Sequence, residues 1–143
     1  MDILNLSNIA ELNKKIDNEV DEIYKVEINK NKNIIFEGRL AAFMVDKIYK
    51  KKSLKIWMKA PIDIRVKRIM NREKSLEYNK EKENTIIREE SERNRYNKYY
   101  NINIEDLSIY DIIIDTKTLT PKQIFNILET YIENYFKNEN INE

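Results

Sequence analysis

Three short apolar runs interrupt an otherwise polar chain, and each has the length of a strand rather than a helix. They are 33–38 ("NIIFEG"), 54–60 ("LKIWMKA") and 111–116 ("DIIIDT"). The first and third have unbroken Ile/Phe centres, the pattern of strands covered on both faces. Around them the spacing of apolar positions becomes helical. After Pro61, the residues Ile62, Val66, Ile69 and Met70 fall on one face, and the proline suits a first helical turn. Thr120-Pro121-Lys122-Gln123 has the form of a capping box with proline at the first helical position. An apolar stripe of Ile124, Leu128, Tyr131, Ile132, Tyr135 and Phe136 follows it. Residues 8–24 predict a further helix, with Ile9, Leu12, Ile16, Val20 and Ile23 on one side. The terminal "KNENINE" predicts a frayed tail. Strands alternating with helices predict an α/β fold on a parallel sheet. With 143 residues, no repeat and no linker, a single domain is expected.

Composition removes whole classes of chemistry. There is no cysteine and no histidine, so disulfides, thiolate or imidazole metal sites and a histidine general base are excluded. Charged residues make up 36%, above the usual share, yet the formal net charge is only +1. That balance gives no general pull toward nucleic acid or a membrane. No apolar run approaches membrane-spanning length and the first residues are polar, which predicts a soluble cytoplasmic protein. The chain holds one glycine, Gly38, so a glycine-rich phosphate loop cannot be built from these residues.

Ligands of such sheets bind beyond the carboxyl ends of the strands, and arginines gather there. Arg39 follows Glu37-Gly38 at the end of the first run. Arg65, Arg68 and Arg72 share one face of the helix after Pro61. The third run ends in Asp115-Thr116, with Lys117 behind it. The segment 86–100, "IIREESERNRYNKYY", sets Arg88, Arg93 and Arg95 against Glu89, Glu90 and Glu92. Each group alone reads as a solvated face or a paired surface arginine. Together they point to one polyphosphate site, because a guanidinium fork binds phosphate oxygens bidentately and keeps its charge.

These residues carry a resemblance. "NIIFEGRLAAFM", "LKIWMKAPIDIRVKRIMNRE" and "REESERNRYNKYYNINIEDLSIYDIIIDT" look like the archaeal type of cytidylate kinase, a P-loop nucleoside monophosphate kinase. "REESERNR" is also similar to the R-D-D-x-D-R-x-R segment of bacterial cytidylate kinases. The resemblance implies transfer of the ATP γ-phosphoryl group to CMP or dCMP, with Mg²⁺ held by the nucleotide and the phosphate loop. It assigns Arg39, Arg88, Glu92, Arg95 and, by an acidic position in the first helical segment, Asp21 to CMP. Arg88 and Arg95 would be the catalytic arginines. It assigns Arg68, Arg72, Thr116 and Lys117 to ATP, and residues 72–95 to a mobile lid within one domain, 1–143. Leu40 stands where bacterial relatives carry an acidic residue that reads the base, so that contact does not transfer.

The departure lies at the front. The family opens with a strand, a glycine-rich phosphate loop and a helix, and its first strand lies mid-sheet, between those matching "NIIFEG" and "LKIWMKA". The resemblance therefore predicts the C-terminal portion of the domain, with a sheet lacking its central strand and a separate chain supplying the phosphate loop. A truncated kinase and a non-catalytic nucleotide-binding or regulatory module are the competing readings.

Overall fold

The computed structural model describes residues 34–48 and 53–137, and within 22–30 only Glu22, Ile23, Val26, Glu27 and Lys30. Most of the helix expected over 8–24, Asp21 within it, and the tail beyond Lys137 lie outside the described residues. The order is α1 (Ala41–Ile48), β1 (Ile56–Lys59), α2 (Ile62–Glu73), α3 (Tyr78–Tyr100), β2 (Ile112–Asp115) and α4 (Pro121–Lys137).

The second and third apolar runs form the sheet. β1 and β2 pair in parallel, with Ile56 opposite Ile112 and Lys59 opposite Asp115. The connection is closed at both ends. Asp111 N–H donates to Lys55 O at 2.9 Å, and Thr116 N–H donates to Lys59 O at 2.8 Å. Two helices lie between the strands in sequence, as a parallel connection requires.

The first apolar run departs from expectation. Residues 34–37 form no strand, and Ile35 is 95% exposed. A strand exists only where a neighbour takes its N–H and C=O groups, and none lies alongside among the described residues. The third run departs in part: Ile114 is buried but Ile113 is exposed, so β2 is covered on one face only.

Val66 on α2 is the one large side chain fully removed from solvent among the described residues. A second cluster joins Tyr96, Ile102 and Ile104 to Leu40, Phe43 and Tyr100, and ties the start of α1 to the end of α3. Trp57 of β1 meets Tyr110 with ring centres 5.1 Å apart, and Phe43 meets the same ring at 6.5 Å. α4 begins as the capping box requires: Thr120 N–H donates to Gln123 Oε1 at 2.9 Å, and Gln123 N–H donates to Thr120 Oγ1 at 3.3 Å. Its stripe is half-buried at Ile124, Leu128, Tyr131, Ile132 and Tyr135, while Phe136 is exposed. No helix of the described residues is long and apolar enough to cross a membrane.

The glycine shortage leaves a mark. α2 and α3 both end on left-handed residues, Lys74 (φ 56°) and Asn101 (φ 54°), where glycine is the common choice. Lys74 and Ser75 N–H both donate to Met70 O. The chain then turns through 74–77 into α3. Asp63 in the first turn of α2 fastens that return, accepting from Tyr78 Oη at 2.6 Å and from Lys82 Nζ at 2.8 Å.

Candidate functional site

α3 is the element that organises the charges. Its 23 residues make one helix about 35 Å long, and the whole of the charged segment 86–100 lies on it. Thr85, Ser91 and Tyr96 are its buried residues, too few apolar contacts to fix a helix of that length alone. Ion pairs tie it to its neighbours. Arg93 NH2 lies 3.0 Å from Glu105 Oε1, beyond the end of the helix. Arg39, on the turn before α1, places Nε 2.9 Å from Glu92 Oε2 as a close ion pair, and NH2 3.7 Å from Glu89 Oε1. Arg65 of α2 donates to the same Glu89 oxygen.

Glu89 therefore joins three elements through one carboxylate. Burial holds the Arg65 guanidinium below its ordinary pKa, and the positive charges of Arg39 and Arg88 push it the same way. Three guanidiniums thus crowd one region against two carboxylates. The Nε groups of Arg65 and Arg88 are buried there without a hydrogen-bond partner. Arg95 lies on the same helix, its guanidinium 5.1 Å from the centre of the Tyr96 ring.

A second group forms past the ends of the strands. Arg68 NH1 donates to Thr116 Oγ1 at 2.9 Å, and Arg68 NH2 donates to Thr116 O at 2.5 Å. Thr116 Oγ1 in turn donates to Lys59 O at 3.0 Å. Met58, Lys59, Ala60, Arg65, Arg68, Thr116 and Ile124 line an open cavity of about 270 Å³. It lies beyond the carboxyl ends of β1 and β2, where an open parallel sheet places its ligands.

The structure thus brings together Arg39 with Glu92, and Arg68 with Thr116, in the same two groupings that the resemblance assigns to CMP and to ATP. Arg88 joins the first group through its field on Arg65. Arg72 does not join the second: it pairs with its neighbour Glu73 at 2.8 Å on the exposed side of α2. Lys117 N–H donates to Asp115 Oδ1 at 2.9 Å, capping the turn after β2, and its side chain is exposed. Sequence reasoning placed Arg65 in the polyphosphate site but gave it no role of its own. It counted Arg65 as one of three arginines on a helix face, whereas the structure sends Arg65, Arg68 and Arg72 to three different partners. Among the described residues, Arg65 alone borders both the charge cluster and the cavity. Its place one turn after Pro61, at a strand end, is the signal that could have found it.

The family model described as the cytidylate kinase-like family matches residues 3–118, which include Arg39, Arg65, Arg68, Arg88, Glu89, Glu92 and Thr116. A protein named cytidylate kinase from Methanocaldococcus jannaschii is 44% identical over 137 residues, covering 96% of this chain and 76% of its own length. One of the same name from Methanosarcina barkeri is 43% identical over 133 residues, covering 93% of this chain and 73% of its own length. Another, from Staphylothermus marinus, is 39% identical over 132 residues, covering 92% of this chain and 72% of its own length. On a match that spans most of its length, the chain belongs to the cytidylate kinase-like family.

Proposed function

We propose that this chain carries the acceptor-phosphate and lid parts of a cytidylate kinase, which moves the γ-phosphoryl group of ATP to CMP or dCMP and yields CDP or dCDP. The observation that carries the reading is the Arg39, Arg65 and Arg88 cluster beside Glu89 and Glu92, in a chain of this family. Arg39 and Arg88 bind the CMP phosphate, Glu92 holds Arg39 or the ribose, and Arg95 reaches the nucleotide or the moving group. Arg68, Arg72, Thr116 and Lys117 serve ATP. Asp21 touches the pyrimidine. Residues 72–95 close over both nucleotides.

The acceptor oxygen of CMP attacks the γ-phosphorus as the bond to the β-bridging oxygen breaks. The acceptor is already an anion, so no general base is needed, and a chain without histidine can serve. What remains is positioning and charge stabilisation, which guanidiniums supply. Mg²⁺ neutralises the ATP phosphates when bound. The reading assigns no residue of this chain to the ion.

One glycine cannot make a phosphate loop, so the reading takes that strand, loop and helix from outside these 143 residues. The exposed Ile34 and Ile35, and a β1 paired only with β2 among the described residues, leave room for such a strand. The test is ATP-dependent phosphorylation of CMP by the 143 residues alone and with a phosphate-loop segment added. Turnover and a raised melting temperature are expected only in the mixture. Ordinary kinase turnover by the 143 residues alone contradicts the added segment. No turnover in a mixture that binds and melts as one complex contradicts the kinase assignment.

A further inference from the structure

We propose that Arg65 and Glu89 are a phosphate site in its ligand-free state: Arg65 binds the transferring phosphoryl group, and Glu89 holds that group's place until it arrives. This rests on the kinase reading and assigns two residues that the resemblance leaves without a role.

The position of Arg65 comes first. It touches Glu89 on the side where Arg39 and Glu92 meet, and it lines the cavity on the side where Arg68 and Thr116 meet. A group passing from the cavity to the Arg39 cluster passes Arg65. No other described residue has a place in both sets.

The donor and acceptor count comes second. Glu89 offers one oxygen, Oε1, to both Arg39 and Arg65. Arg65 Nε and Arg88 Nε stay buried without an acceptor, and Glu92 Oε2, ion-paired to Arg39 Nε at 2.9 Å, accepts no hydrogen bond from either. Three guanidiniums against two carboxylates leave an excess of positive charge and unused donors. A carboxylate is planar and carries one charge. A phosphoryl group carries more charge on three tetrahedral oxygens, so it satisfies several guanidiniums at once. An anion richer in oxygens should therefore displace Glu89, and the carboxylate meanwhile keeps like charges from driving the arginines apart. Glu89 is half-buried on α3, a helix whose few buried apolar contacts leave it able to shift when that bridge opens.

The experiment titrates the whole chain with inorganic phosphate by calorimetry at fixed ionic strength, which separates site binding from general screening. Arg65→Gln should weaken phosphate binding about tenfold, the loss expected for one charge-assisted bond. Glu89→Gln should strengthen it about threefold, because the competing anion is gone. Glu89→Asp keeps the charge and should stay near wild type. Glu90→Gln, an exposed carboxylate on the same helix, removes equal charge and should change binding less than twofold. The proposal fails if Arg65→Gln binds as wild type, if Glu89→Gln binds no better than wild type, or if Glu90→Gln matches the gain of Glu89→Gln. In the complemented kinase, Arg65→Gln should lower kcat about tenfold while the KM of each nucleotide stays within about threefold, a split that a merely structural role does not give. Phosphate binding with no CMP turnover would leave this site standing and remove the kinase assignment instead.

Discussion

Arg68 grips Thr116 at two points, the hydroxyl at 2.9 Å and the carbonyl at 2.5 Å, and Thr116 in turn donates to Lys59 O at 3.0 Å. A helix arginine is thereby fixed to the ends of both strands, and the cavity floor depends on one buried hydroxyl. Thr116→Val keeps the shape and removes that hydroxyl. The variant leaves one Arg68 donor without its acceptor and the Lys59 carbonyl with only the Thr116 N–H, so it should lose about 1–2 kcal/mol of stability. Urea denaturation measures the loss. In the assembled enzyme the KM for ATP should rise several-fold, because Arg68 keeps only its bond to the carbonyl. A variant with wild-type stability and wild-type KM would remove the relay from the site.

Lys74 supplies a second prediction. It ends α2 at φ 56°, where a side chain crowds its own carbonyl and glycine does not. Lys74→Gly should therefore stabilise the fold by about 0.5–1 kcal/mol, less what the freer unfolded chain takes back. Thermal unfolding checks this. A loss of stability would mean that the Lys74 side chain holds a contact stronger than the strain it relieves.

How much was legible divides along physical lines. The pair β1 and β2, the helix after Pro61 and the capped helix from Pro121 follow from local signals: apolar runs, a proline at the first turn, a Thr-Pro-Lys-Gln box. Those signals act within a few residues, so the chain alone carries them. The run 33–38 has the same apolar content, but a strand is a property of two segments, and no partner segment lies alongside it among the described residues. The contacts divided the same way. Family spacing put Arg39 and Glu92 together, and the structure pairs them. The contact of Arg65 with Glu89 was not legible, because it depends on where α3 crosses α2, and helical periodicity placed Arg65 with Arg68 and Arg72 on one face. The partners of the three are set by tertiary packing: Glu89 on α3, Thr116 after β2, and Glu73 next door.

The Asp63, Tyr78 and Lys82 contact predicts a pH dependence. The Lys82 ammonium, then the Tyr78 hydroxyl, hold the Asp63 carboxyl below its ordinary value of 3.8, and the Asp63 carboxylate raises both Tyr78 and Lys82. A lowered carboxyl contributes stability above its unfolded pKa and loses it as pH falls through the folded value. The raised Tyr78 and Lys82 contribute below their unfolded pKa values of 10.0 and 10.5, and lose the contribution as pH rises through the folded values. The fastening is therefore complete from about pH 5 to pH 9 and weakens on both sides. Hydrogen exchange of residues 74–82 should quicken below pH 4 more than that of β2, and Asp63→Asn should abolish the difference. Equal acid response in both regions would show that the contact does not hold the turn.

Arg39 gives the sharpest test of the acceptor side. It reaches from the turn before α1 to two carboxylates on α3, with its own side chain about a third exposed. In the free protein that pairing contributes little, since exposed ion pairs are screened and are worth at most about 1 kcal/mol. The case with CMP bound is different. On the proposed function the phosphate takes the place where the carboxylates meet the guanidinium, and a bidentate fork gains two charge-assisted bonds in place of one close pair. Arg39→Ala in the assembled enzyme should lose about 1.5–3 kcal/mol of that interaction, which is a fall of roughly 10- to 100-fold in kcat/KM for CMP. The melting temperature should move by only a few degrees. Arg39→Lys restores the charge but not the fork, so it should recover part of the rate. Steady-state kinetics beside a melting curve separates the two effects. A rate within twofold of wild type for Arg39→Ala would take Arg39 out of the acceptor site. A large drop in melting temperature would show that Arg39 serves the fold through Glu89 and Glu92.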